Sequence, residues 1–277
     1  TLICSLNIAA QDDLLNELNK ETKIEAYQLP AFKAMKIGNL QSTKIADKGD
    51  LYMIVSHRFG TLKNGLETFF GFDDANTKMQ LLYSFMNGVQ VSLSRESLNR
   101  TYASALKVRL FKQTNLFPVN MVLYGTANIN TLITEAQYPE LKFSDKMSYA
   151  TQLLVSRRVS KKLSLLIAPS FVRQNLQDVR VTKGLNHNQF IMGFGGRIKV
   201  SKRMSINADY AYNFNREKKS LYKNPLTLGL DIETGGHVFQ MHFTNSQAMN
   251  ANGFLGQGAG DWSDGDIYFG FNLSRTF

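Results

Sequence analysis

The side chains of this sequence best suited to chemistry are four histidines, one cysteine and several clusters of acids. The pair Ser56-His57 would suit nucleophilic catalysis if the imidazole could take the hydroxyl proton. Neighbours on a strand point to opposite faces, however, so adjacency does not place Ser56 for His57. His57, His187, His237 and His242 show no zinc-ligand spacing. Asp73-Asp74 beside Asn76, and Asp261, Asp264 and Asp266 around Trp262, carry oxygens that calcium accepts, but such groups more commonly cap hairpin loops. Gly195 and the glycines at 253, 256, 258 and 260 lack the strand-to-helix crossover of a nucleotide fingerprint and read as close approach and loop flexibility. No catalytic, metal or cofactor residue is therefore assigned, and an enzyme is not expected.

Charge is the next chemical signal. The formal net charge is +10. Basic residues recur in short turn-like pieces, Arg157, Arg158, Lys161 and Lys162 and again Lys199, Lys202 and Arg203, with no helix or zinc framework to carry them into a nucleic-acid groove. Solvated turns, acidic lipid headgroups or an anionic solute fit this distribution better.

Those side chains need elements to position them, and from Asp50 to the last residue the dominant pattern is period-two alternation. Val89, Val91 and Leu93 alternate with Gln90, Ser92 and Ser94; Ile206, Ala208 and Tyr210 alternate with Ser205, Asn207 and Asp209. The two-residue turn Gly235-Gly236 sets Ile232 opposite Phe239, Leu230 opposite Met241 and Leu228 opposite Phe243, with Asp231 facing Gln240 and Gly229 facing His242. Apolar residues thus pair with apolar residues. Strands are expected near 50–59, 76–86, 89–97, 102–112, 119–128, 147–157, 163–173, 189–199, 204–214, 225–234, 237–244 and 266–277, joined alternately by long and tight connections. The connections 98–101 and 113–118 fit that rule less cleanly. Val159 to Leu165 and Val200 to Ile206 are similar in sequence, as expected of repeated hairpins.

This pattern predicts an all-β fold, a transmembrane antiparallel up-and-down β-barrel of about 12 strands with a short N-terminal helical or irregular segment. No run approaches the roughly 18 to 20 apolar residues of a spanning helix. A soluble barrel would alternate similarly, but Tyr149, Tyr210 and Tyr212 on the apolar parity favour lipid contact through aromatic girdles. Residues 1–10 read as the remnant of a secretory signal, with cleavage after Ala10 removing Cys4; a lipoprotein role for Cys4 is disfavoured by the bulky Ile3 before it. Residues 11–49 read as a periplasmic arm or plug, with Leu14, Leu15 and Leu18 at helical spacing, and 50–277 as the barrel. The chain ends Ile267, Phe269, Phe271, Leu273 and Phe277 on one parity, resembling the signal read by the barrel assembly machinery; outer-membrane lipid and that machinery are the expected partners, without nucleic acid.

The segments SHRFG from Ser56, FFGFDDAN from Phe69, SLNRTY from Ser97, NPLTLGLDIETGGHVFQMHFTNS from Asn224 and GDIYFGFNLSR from Gly265 resemble the outer-membrane barrels of the domain-of-unknown-function 5777 family over about residues 50–277. The resemblance implies an outer-membrane barrel in a two-membrane envelope and carries no activity with it.

Parity places Glu96, Lys107, Arg109, Arg158, Arg197, Lys199, Asp209, Asp231, Glu233 and His242 on the inner face as the expected lumen lining, with Gln90, Gln152, Asn207 and Gln240 among others beside them. A lining of both charge signs suits a pore or uptake channel for a small solute, anionic solutes among them, or a barrel knitted shut by ion pairs that scaffolds a partner envelope protein. An outer-membrane hydrolase is the third reading.

Overall fold

A computed structural model describes residues 30–176, 187–218, 220–235 and 237–277 of the chain. The expected signal remnant with Cys4 and the expected helix around Leu14 to Leu18 lie outside the described residues.

Twelve antiparallel strands close into one barrel in which each strand pairs with its chain neighbours and β1 pairs with β12. They are β1 (Leu51–Thr61), β2 (Ala75–Met86), β3 (Val89–Glu96), β4 (Thr101–Phe111), β5 (Asn120–Asn130) and β6 (Met147–Arg158). The second half comprises β7 (Leu163–Gln174), β8 (Asn188–Lys199), β9 (Met204–Asn213), β10 (Leu226–Thr234), β11 (His237–Thr244) and β12 (Tyr268–Thr276). Closure sets Val55 opposite Leu273 and His57 opposite Phe271, leaving no open edge. The β10–β11 register pairs Ile232 with Phe239, Leu230 with Met241, Leu228 with Phe243, Asp231 with Gln240 and Gly229 with His242, as the turn chemistry predicts. Gly235 opens that turn at φ 49°, a conformation open to glycine at little cost.

Alternation has a direct physical expression here. Met79, Leu81, Leu93, Leu106, Ile206 and Phe243 are exposed on the outer face, where a membrane would cover them. The inner face differs from expectation. Polar residues line β1–β3 and β9–β12, but Val122, Tyr124, Ala150, Leu154, Leu166, Ala168, Val172, Ile191 and Ala211 give β5–β9 an apolar inner wall. Such strands are apolar on both faces and need cover on both.

Two inner segments provide it. Residues 30–49 enter from the short-turn end as an irregular hairpin, in which the Ile37 amide donates to the Leu40 carbonyl at 2.9 Å and the Ser42 amide to the Met35 carbonyl at 3.1 Å. The connection after β11 folds inward as well and carries one short α-helix, α1 (Ala251–Gly256), every residue of which is buried. This corrects the reading of Gly253 and Gly256 as loop flexibility. Phe32, Ile37, Leu40, Ile45, Phe254 and Leu255 complete an apolar core with the β5–β9 wall. Gly193 permits the approach: a Cβ there would lie 3.0 Å from Leu40 Cδ1.

Candidate functional site: the occupied lumen

The polar half of the lumen is a set of charged wall groups whose partners are the backbones of the two inner segments. Asp209 on β9 accepts from the amides of Gly38 and Asn39 at 2.8 Å each and of Leu40 at 3.2 Å. Successive amides turned toward one carboxylate form an anion-binding concavity, here with the anion supplied by the wall. On the opposite side, Lys107 on β4 donates to the carbonyls of Met35 at 3.2 Å, Ser42 at 2.9 Å and Lys44 at 3.4 Å. Gln240 on β11 donates to the Ile37 carbonyl at 2.8 Å and Asn272 on β12 to that of Gly38 at 3.0 Å.

The segment after β11 is held in the same manner. Glu96 on β3 accepts from the Met249 amide at 2.7 Å and from Asn250 Nδ2 at 2.9 Å. Lys78 on β2 and Lys36 of the inner hairpin both donate to the Met249 carbonyl, at 3.3 and 3.1 Å. Where the two segments meet, Arg58 on β1 donates to the Ser246 carbonyl, to Asn39 Oδ1 at 2.8 Å and to His242 Nε2 at 2.8 Å. A guanidinium only donates, so Nε2 accepts and the ring proton of His242 belongs on Nδ1. Arg58 is fully buried, and its removal would leave three acceptors in a dry interior without a donor.

Of the expected lining residues, Glu96, Lys107, Asp209 and His242 thus converge on the inner segments or on Arg58. Arg197 and Asp231 are buried beside them: Arg197 donates to Ser205 Oγ at 2.9 Å and to Glu233, while Asp231 accepts from Gln240 at 2.8 Å. Glu233 also meets Lys33 at 2.7 Å near the short-turn mouth. Arg109, Arg158 and Lys199 are half-buried toward that end and do not join the network; Arg158 Nε donates to the Ser160 carbonyl at 3.3 Å. Sequence reasoning missed Arg58 and Lys78, although both share inward parity with Ser56, and it had no signal for their backbone partners.

The remaining chemical candidates separate. Ser56 is buried inside the barrel, whereas His57 lies on the outer face, its ring 5.4 Å from that of Phe271. They do not form a nucleophile–base pair. Asp261 accepts from the Ser263 amide at 3.0 Å and hydroxyl at 2.6 Å, and Lys223 lies 3.1 Å from its other oxygen. The Ser263 hydroxyl and amide, followed by Lys223, hold its carboxyl at about 2.

Both ends of the filled lumen open into cavities. The short-turn mouth holds one of about 450 Å³ lined by Lys33, Lys44, Lys202, Arg203 and His237 with Glu233. The long-loop mouth holds a smaller one, of about 80 Å³, beside Asn250 and Asn252.

No curated protein matches the chain in sequence. Among solved structures, the NanC porin shares the fold at a TM-score of 0.53 and 8% identity, covering 81% of this chain and 98% of that one. The KdgM porin is similar at a TM-score of 0.47 and 9% identity over 82% of this chain and 99% of that one. Omp33 of Acinetobacter baumannii gives 0.44 and 10%, over 84% and 100%. The membrane bound beta barrel domain DUF5777 matches residues 32–277, so the matched unit includes most of the inner hairpin as well as the wall. With a closed twelve-stranded barrel and that match over most of its length, the chain belongs to the DUF5777 family of membrane-bound β-barrel domains.

Proposed function

We propose that this protein is an outer-membrane pore for small polar solutes, gated by its own inner segments, with a preference for anions. One observation carries the reading: the wall charges Arg58, Lys78, Lys107, Glu96 and Asp209 are engaged by backbone groups of residues 35–44 and 246–250. Peptide backbone neutralises these charges in the filled state; a solute would meet Lys107, Asp209 and one side of Arg58 once the hairpin withdrew, and Lys78 and Glu96 once the segment after β11 moved as well. Arg58, Lys78 and Lys107 outnumber Glu96 and Asp209 there, and Lys33, Lys44, Lys202 and Arg203 continue the basic character to the short-turn mouth. In outer-membrane barrels the short turns are periplasmic. The hairpin would then withdraw toward the periplasm, through the mouth at which Pro30 lies.

A second reading rests on a different observation. The apolar β5–β9 wall makes one core with Ile37, Leu40 and Phe254, which suits a permanently filled barrel that docks a partner envelope protein. Planar-bilayer recordings of the full chain and of a chain lacking residues 30–46 separate the two. The pore reading expects rare openings from the first and steady anion-preferring current from the second. Silence from both, with folding verified by heat-modifiable gel migration, would overturn it in favour of docking.

A further inference from the structure

We infer that the outer wall over β1–β5 carries a binding site for one outer-leaflet lipid with a phosphate in its headgroup and two acyl chains. Two apolar grooves lie side by side on this part of the wall. One, of about 450 Å³, is lined by Met53, Met79, Leu81, Leu93 and Tyr102 and bordered by Arg95. The other, of about 590 Å³, is lined by Leu93, Leu106, Ser104, Gly125 and Ala127. Leu93 belongs to both and is 68% exposed, so it stands as a ridge between two troughs. The second trough owes its depth to small residues: Ser104 is paired with Ala127 and Leu106 with Gly125, where a Cβ would meet nothing within 4 Å.

Arg95 identifies the headgroup. It shares the outward parity of Val91 and Leu93 and is exposed. A guanidinium on a lipid-facing wall is destabilising unless it reaches the interface or meets an anion. Its Cζ lies 5.8 Å from the centre of the Tyr102 ring, a contact that steadies the side chain beside the first groove. No carboxylate pairs with it among the described residues. β3 ends one residue later, at the end away from the tight Met86–Val89 turn. Because short turns are periplasmic, Arg95 stands near the headgroups of the outer leaflet. A phosphate accepts two parallel N–H bonds from one guanidinium, with its chains in the troughs beneath. A second copy of the barrel answers this chemistry poorly. The acidic residues of the twelve strands are Glu96, Asp209, Asp231 and Glu233, and all four face the lumen, so another outer wall has no carboxylate to offer Arg95.

The test is native mass spectrometry of the full chain in an amine-oxide detergent, with two probes of equal chain length, dimyristoyl phosphatidic acid and dimyristoylglycerol. One phosphatidic acid per chain is expected to stay bound, at least tenfold in preference to dimyristoylglycerol. Arg95→Gln should abolish that preference, and Gly125→Leu, which fills the second trough, should weaken retention of both probes several-fold. Arg173→Gln removes another outward guanidinium, one already held by Asn175 and Asn188, and should change nothing. Folding of each variant is checked by heat-modifiable gel migration. Equal retention of the two probes, a preference that survives Arg95→Gln, or the same loss in Arg173→Gln would overturn the inference, the last by showing general attraction to a basic surface. A dimer of the chain that phosphatidic acid does not displace would overturn it in favour of a second copy. None of these readouts depends on conduction, so the site stands or falls apart from the pore.

Discussion

Leu40 is where the gating account is most exposed to test. Its side chain is 1% exposed and sits against Gly193 and the apolar wall. Truncating a buried leucine to alanine costs about 2–5 kcal/mol, lost transfer energy and residual cavity together. If the open state releases the hairpin into water, that amount is removed from the closed state alone. At 1.36 kcal/mol per tenfold, Leu40→Ala should raise the open-to-closed ratio between about 30-fold and several thousand-fold. Gly193 provides an internal control, because a Cβ there would lie 3.0 and 3.1 Å from the two Leu40 methyls and 3.1 Å from Ala168 Cβ. Alone, Gly193→Ala overpacks the contact and should also favour opening, since inserting a methyl into a filled site costs about 1–3 kcal/mol. In the Leu40→Ala background the clash with the two Leu40 methyls is gone and only the 3.1 Å approach to Ala168 Cβ remains, so the same methyl should raise the open ratio by less than it does alone. The assay is single-channel open probability for the wild type, both single variants and the double variant. Equal open probabilities across the four, with native gel migration, would refute the claim that hairpin packing sets the gate; additivity of the two singles would refute the steric contact.

Other consequences follow from the same contacts. Asp209→Asn should loosen the hairpin by about 2–3 kcal/mol, because charge-assisted hydrogen bonds from three amides become weaker neutral ones; increased trypsin cleavage at Lys33 or Lys36 would register it, and unchanged cleavage would contradict it. Arg58→Met should release both inner segments together, at a cost of about 3–5 kcal/mol, since the Asn39, Ser246 and His242 acceptors lose their shared donor; hydrogen exchange confined to one segment would show that Arg58 does not couple them. The Asp261 carboxyl titrates near 2 in the folded chain, below its ordinary value of 3.8, so its contribution to the loop is present above 3.8 and is lost as pH falls through about 2. Pepsin nicking of residues 258–267 should rise across that window in the wild type and show a flatter profile in Asp261→Asn.

Much of the wall was legible because a strand with different solvents on its two faces must alternate. Observed strand ends lie within two residues of those expected, and the β10–β11 register follows from one turn. Parity also carried Glu96, Lys107, Asp209 and His242 to the inner face. What alternation alone could not show is what fills the lumen. Its signal was present in the places where alternation fails: Leu165, Leu166, Ile167 and Ala168 are apolar on both parities of β7, as are Met121, Val122, Leu123 and Tyr124 on β5. Apolar residues on an inner wall imply an apolar partner. Ala251, Phe254 and Leu255, at helical spacing in a glycine-rich loop, were that partner's signature in the segment after β11. Arg58 was overlooked because its neighbours Ser56 and His57 drew the chemical reading, and its partners are a carbonyl and an amide from segments remote in sequence.

The central claim is that movement of the inner hairpin opens the path. The hydroxyls of Thr43 on the hairpin and Ser156 on the wall are 2.6 Å apart, so replacing both with cysteine would tether the two by a disulfide. With Cys4 changed to serine and Leu40→Ala present to favour opening, the account predicts steady current under reductant and closure on oxidation, reversed by further reductant. Equal current in the oxidised and reduced states, with the disulfide verified by mass, would contradict it.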